Sequence, residues 1–96
     1  MNNVIYKYPL RIHDQQTLLL PSMAQPLTIQ LQDKEKSCGV AQPCLWARVD
    51  PTNPQKLPYS VWMVGTGHQF DLPGVAIYLG TVQHPSGLVL HCFGGF

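Results

Sequence analysis

Ninety-six residues suffice for one domain with a modest core, and residues 1–96 read as a single β domain. The formal net charge is +1, and Lys7, Arg11, Lys34, Lys36, Arg48 and Lys56 are scattered rather than clustered, which argues against long duplex nucleic acid as a partner because each phosphate contact needs a cation. No apolar run reaches the roughly 18 residues of a membrane-spanning helix, and the opening segment 1–8 lacks the basic-then-apolar pattern of a signal peptide.

Nine prolines between Pro9 and Pro85 each block a helix interior, and the windows between them alternate with period two. The first predicted strand is Val4 to Ile12, with Val4, Tyr6, Tyr8, Leu10 and Ile12 on the core face and Lys7 and Arg11 opposite. Pro9 inside it marks an edge strand or a bulge. Gln16 to Leu20 is a short apolar strand closed by Pro21. Pro26 to Gln32 alternates Leu27, Ile29 and Leu31 inward with Thr28, Gln30 and Gln32 outward. Asp33 to Gly39 is the most polar stretch and reads as an exposed loop or hairpin connection. In Cys44 to Val49, Leu45, Ala47 and Val49 face the core, opposite Cys44, Trp46 and Arg48. Asp50 to Pro58 is a proline-rich loop.

Tyr59 to Val64 follows, with Tyr59, Val61 and Met63 inward and Ser60 and Trp62 outward, and ends in Gly65 to Asp71. Val75 to Gln83 is a strand that Gly80 interrupts, which predicts a bulge or a close backbone approach. His84 to Gly87 has hairpin-turn chemistry. Leu88 to Phe93 is the last strand and Gly94 to Phe96 a tail. Six to seven short strands make the chain all-β, a small antiparallel sandwich or barrel.

The blocks Ile5–Leu10, Gln16–Pro21, Cys44–Pro51, Gly65–His68, Tyr78–Gln83 and Leu88–Phe93 together resemble an uncharacterised family of small proteins from phages and prophages. The resemblance covers almost the whole chain. The stretch Lys34 to Pro43 is longer here than in that pattern, and Gly94, Gly95 and Phe96 stand where an acidic residue is expected. The resemblance implies a context rather than a chemistry: small accessory phage proteins often bind and disable a host component.

Gly65, Thr66, Gly67 and His68 form the sharpest local feature. Two glycines let backbone amides converge on an anion, and His68 can donate to a phosphate; against this, the same residues make an ordinary strand-ending turn. Trp46 and Trp62 are candidates for stacking on a base or anchoring a protein partner, with Arg48 as a nearby cation. Tyr6 and Tyr8 read as core. The cysteines Cys38, Cys44 and Cys92 fit reduced thiols better than a disulfide framework. Their spacing and that of the histidines lack a close ligand pair, so no metal site is expected; His91 and Cys92, as strand neighbours, point to opposite faces. No nucleophile motif supports a cysteine hydrolase. Asp14 and Asp50 stand in turn-like contexts, where hydrogen bonding to the local backbone accounts for them.

The expected function is therefore non-catalytic, with no cofactor. Charged residues make up 11% of the chain against a usual level of about 25%, and a neutral surface is easily desolvated against a partner. The leading expectation is a phage or mobile-element protein, anti-CRISPR-like, that inhibits a host defence protein by direct binding in the bacterial cytoplasm. Its binding residues would be Trp46, Arg48, Trp62, Gly65, Thr66, Gly67 and His68. Alternatives are a binder that sequesters a cyclic-nucleotide-type signal and a phage structural or assembly component. A homodimer would suit a self-pairing first strand.

Overall fold

The computed structural model describes residues 2–32 and 41–96. The expected loop Asp33 to Gly39, with Cys38, lies outside the described residues. Among the described residues seven strands follow one another: β1 (Val4–Pro9), β2 (Gln15–Pro21), β3 (Gln25–Gln32), β4 (Gln42–Val49), β5 (Lys56–Gly65), β6 (Ile77–Gln83) and β7 (Val89–Gly95). Among the described residues there is no helix, and so none long and apolar enough to cross a membrane. Every pairing is antiparallel, in one sheet ordered β1-β4-β3 and another ordered β2-β5-β7-β6. The extents are 41 × 37 × 15 Å. The shortest of these has room for two sheets about 10 Å apart and no third layer. Of the two architectures the pattern allowed, the molecule is the sandwich.

Period-two alternation builds the core. Leu45, Ala47 and Val49 of β4 face Tyr59, Val61 and Met63 of β5 across the interior, joined by Leu20, Ile29, Leu79, Val82, Leu90 and Cys92, all buried. Each fully buried Leu, Ile or Val contributes about 1.5–3 kcal/mol. β5 begins at Lys56, inside the expected loop, so Pro58 lies within a strand. β7 reaches only as far as Ser60, leaving Pro58 paired on one side alone, where its missing N–H is tolerated.

The two sheets run against each other along β3 and β6. Thr28 Oγ1 donates to the Leu79 carbonyl at 3.1 Å across this seam. Both strands shift register there, between Pro26 and Thr28 and between Tyr78 and Gly80. Gly80 has φ of 145°, and a Cβ on it would collide with the carbonyl oxygen of Ile29. The expected bulge and the expected close approach at Gly80 are therefore one feature.

Several expected positions are corrected. Leu27, expected inward, is 45% exposed, because it is the extra residue of the β3 bulge. β1 is the edge strand that Pro9 predicted, but it ends there, and Ile12 is exposed although Leu10 still reaches the core. Tyr6, expected in the core, is 44% exposed, and Tyr8 packs only at the core margin. β1 packs chiefly on β4, so its inner face is left half open. At the other end, Gly94 and Gly95 are not a tail. They extend β7 opposite Val61 and Ser60, and Gly94 lies against the Tyr59 ring where no side chain would fit.

Candidate functional site: an aromatic groove on the four-stranded sheet

The outward face of the β2-β5-β7-β6 sheet gathers four aromatic rings. Trp62 on β5 pairs with Phe93 on β7, which pairs with Tyr78 on β6. Phe93 and Tyr78 meet edge to face at 5.6 Å between centroids. Phe70, from the β5–β6 connection, tilts over Phe93 at 5.8 Å. Such ring pairs add roughly 0.5–1.5 kcal/mol beyond their buried area. Trp62 and Phe93 are half-buried, while Phe70 and Tyr78 are exposed.

Beside these rings runs an open groove of about 270 Å³, lined among others by Asp14, Trp62, Gly65, His68, Phe70 and Asp71. Its loop is built by the two glycines. His68 N–H donates to the Gly65 carbonyl at 3.2 Å, closing a four-residue turn. Gly67, third in that turn, has φ of 86°, a conformation that favours glycine. A Cβ on Gly65 would lie 3.0 Å from His68 Nδ1, so the missing side chain lets the imidazole fold back over the strand end.

Thr66 serves a different purpose. Its hydroxyl meets His91 Nε2 at 2.7 Å. His91 Nδ1 meets Thr81 Oγ1 at 3.1 Å, and Thr81 Oγ1 meets Tyr78 OH at 2.6 Å. A neutral imidazole has one donor and one acceptor nitrogen, and a hydroxyl can play either part, so the whole chain is satisfied in either direction. It ties the turn to the sheet and fixes the Tyr78 ring.

The other wall comes from the β1–β2 connection. The Gln16 side-chain amide donates to the Arg11 carbonyl at 2.7 Å and its oxygen accepts from the Arg11 N–H at 3.0 Å, pinning that connection. The Asp14 carbonyl accepts from Met63 N–H at 3.0 Å. Asp14 and Asp50 part company here. Asp50 fulfils its turn expectation, taking the Thr52 hydroxyl at 2.6 Å and the Thr52 N–H at 3.0 Å. Those bonds, the hydroxyl's first, hold its carboxyl below the usual range. Among the described residues, the Asp14 carboxylate has no such bond and pairs with no Lys or Arg, and the same holds for Asp71.

Of the residues singled out from sequence, Trp62, Gly65 and His68 line this groove, and Thr66 and Gly67 shape its turn. Trp46 and Arg48 stand elsewhere, on the outward face of the three-stranded sheet. There Trp46 pairs with Lys7 and Thr28, and Arg48 with Ile5 and Gln25. Arg48 borders a separate depression of about 260 Å³ with Asp50 and Met23. The expected set is thus divided between opposite sides of the sandwich. Phe70, Asp71, Tyr78 and Phe93 were not singled out from sequence, and Asp14 and His91 were read only as a turn residue and as the strand neighbour of Cys92, so none of the six was expected at a binding site. The parity of His91 and Phe93 on β7 was the available signal for two of them.

Cys92 is buried on the inward face, opposite to its neighbour His91. Burial pushes its thiol up to about 11. Among the described residues no group of three His, Cys, Asp or Glu side chains converges as metal ligands.

Fold and groove define a two-sheet antiparallel β-sandwich with an aromatic, acid-lined depression on one outer face. The chain matches a domain of unknown function (DUF7352) over residues 1–95, and it belongs to that family. No curated protein and no solved structure matches it.

Proposed function

We propose that the chain is a non-catalytic accessory protein of a phage or other mobile element that acts inside the host cell by binding a host defence protein directly. The carrying observation is the convergence of Trp62, Phe70, Tyr78 and Phe93 on one outer face, since aromatic clusters of this kind anchor protein interfaces. The buried, protonated Cys92 supports a non-catalytic reading, because the thiolate is the nucleophile. A phosphorylated signal is the weaker reading. The Gly65–His68 turn opens beside Asp14 and Asp71, and among the described residues no Lys or Arg lines the groove, whereas Arg48 is on the other sheet. Its volume also falls just short of the 300–1,000 Å³ or so of sites that enclose a drug-sized molecule.

A photo-reactive benzoyl-phenylalanine at position 70, compared with one at position 5 on the opposite sheet, tests the reading in living bacteria. The expected outcome is one defined host protein captured from position 70 and not from position 5. That protein, once purified, should bind the wild type at least tenfold more tightly than Trp62→Ala. No adduct at position 70, or equal capture from both positions, would overturn it.

A further inference from the structure

We infer that the groove beside Trp62 receives an arginine side chain of the protein partner, an assignment that rests on the protein-binding reading above and deepens it. Three properties of the groove select this occupant. The first is charge. Among the described residues, Asp14 and Asp71 both line it, no Lys or Arg does, and neither carboxylate has an ion-pair partner. These are two of the five acids in the whole chain. A free carboxylate on an exposed surface needs no explanation, but two arriving from separate connections at one concave site set its preference for a cation. Asp14 comes from the segment before β2 and Asp71 from the segment after β5.

The second is the wall material. Trp62 and Phe70 both line the same space. A cation over an aromatic face gains about 0.5–1 kcal/mol at an exposed site and more as water leaves. Guanidinium suits this better than ammonium. It is planar, stacks on rings, sheds water more easily and can give paired N–H donors to a carboxylate. The third is size. About 270 Å³ accommodates one long side chain with its aliphatic stem and lies below the roughly 300–1,000 Å³ of sites that enclose a drug-sized molecule. His68, folded over Gly65, borders the same space with a further polar edge.

The test uses the full chain, labelled with 15N, and four probes: N-acetyl-arginine amide, its neutral isostere N-acetyl-citrulline amide, tetramethylammonium and inorganic phosphate. Arginine amide should shift the Trp62 indole N–H and the amides of residues 65–72, and leave those of β1 in place. Citrulline amide should bind at least tenfold more weakly. The double variant Asp14→Asn, Asp71→Asn, exposed at both positions, should keep the wild-type spectral dispersion and lose the arginine response at least tenfold. Equal shifts with citrulline would overturn the charge argument. A stronger response to tetramethylammonium would reassign the groove to a free small cation, and a response to phosphate in place of arginine would reassign it to an anion. Silence from every probe would also overturn the inference. Capture of a host protein at position 70 despite that silence would leave the protein-binding reading standing without its arginine.

Discussion

The hydroxyl of Thr66 meets Nε2 of His91 at 2.7 Å, and this contact fastens the Gly65–His68 turn to β7. The turn's own backbone bond, from His68 N–H to the Gly65 carbonyl, is a long 3.2 Å. Its position therefore depends on the side-chain contact. Thr66→Val should cost about 1 kcal/mol, the usual net worth of one hydrogen bond. Its clearer effect should be faster amide exchange at residues 65–68, with exchange in β4 unchanged. Unchanged exchange in the turn would show that the contact does not hold it.

Gly80 and Gly87 separate space from conformation. Both have positive φ, but a Cβ on Gly80 would collide with the Ile29 carbonyl oxygen, while one on Gly87 would meet open space. Gly87→Ala should cost only its backbone strain, about 1–2 kcal/mol. Gly80→Ala adds a backbone collision at the seam between sheets and should cost roughly 3 kcal/mol or more, in the range of severe core changes. Urea unfolding of the two variants measures the difference. Equal losses would mean that β3 and β6 can move apart freely.

How far these features could be read from sequence depends on the range of the information. The inward sides of β4 and β5 were legible because Leu45, Ala47 and Val49, like Tyr59, Val61 and Met63, repeat with a period that only a strand can use. The same parity sent Trp46 and Trp62 outward, and both are half-buried on outer faces. Pro9 announced an edge and Gly80 a bulge, since each is a local rule of the backbone. Leu27 was misread because a one-residue bulge reverses parity without any marker in its own sequence. The groove was legible only in Trp62 and the Gly65–His68 turn, and its assembly was not. It needs Asp14 beside Trp62 and Trp62 near Phe70 and Asp71, and strand order and register are not contained in alternation.

Tyr59 and Gly94 form a pair whose variants should behave in opposite ways. The Tyr59 hydroxyl is buried and has no hydrogen-bond partner among the described residues. Removing such a group avoids its desolvation penalty, so Tyr59→Phe should be neutral or stabilising by about 1 kcal/mol. Gly94→Ala should be strongly destabilising, by about 3 kcal/mol, because the added methyl would overlap the Tyr59 ring. Two ring carbons lie 2.6 Å from that position, so Tyr59→Phe should not rescue Gly94→Ala, whereas Tyr59→Leu should recover part of the loss. Thermal unfolding of the four variants checks the pattern. A full rescue by Tyr59→Phe would place the whole conflict at the hydroxyl and contradict the packing described.

Two buried acids, the Cys92 thiol and the Tyr59 phenol, should make the fold sensitive to alkali. Burial raises the Cys92 thiol from 9.0 to about 11 and the Tyr59 phenol from 10.0 to about 12. Both are acids whose neutral form the folded state prefers. Between the unfolded and folded values the unfolded chain has given up its proton and the native chain has kept it, so stability falls as pH rises. Cys92 contributes this loss from about pH 9 to 11 and Tyr59 from about pH 10 to 12, each on the order of 1 kcal/mol per pH unit. Below pH 9 neither group should affect the pH dependence. Urea midpoints at pH 8, 9, 10 and 11 should fall progressively for the wild type. Cys92→Ala should lower the midpoint at pH 8 by leaving a small void, yet flatten the decline between pH 9 and 11. Tyr59→Phe should flatten it only above pH 10. Identical slopes in all three proteins would mean that water reaches these groups in the folded state, and that the core between the sheets is looser than its buried side chains imply.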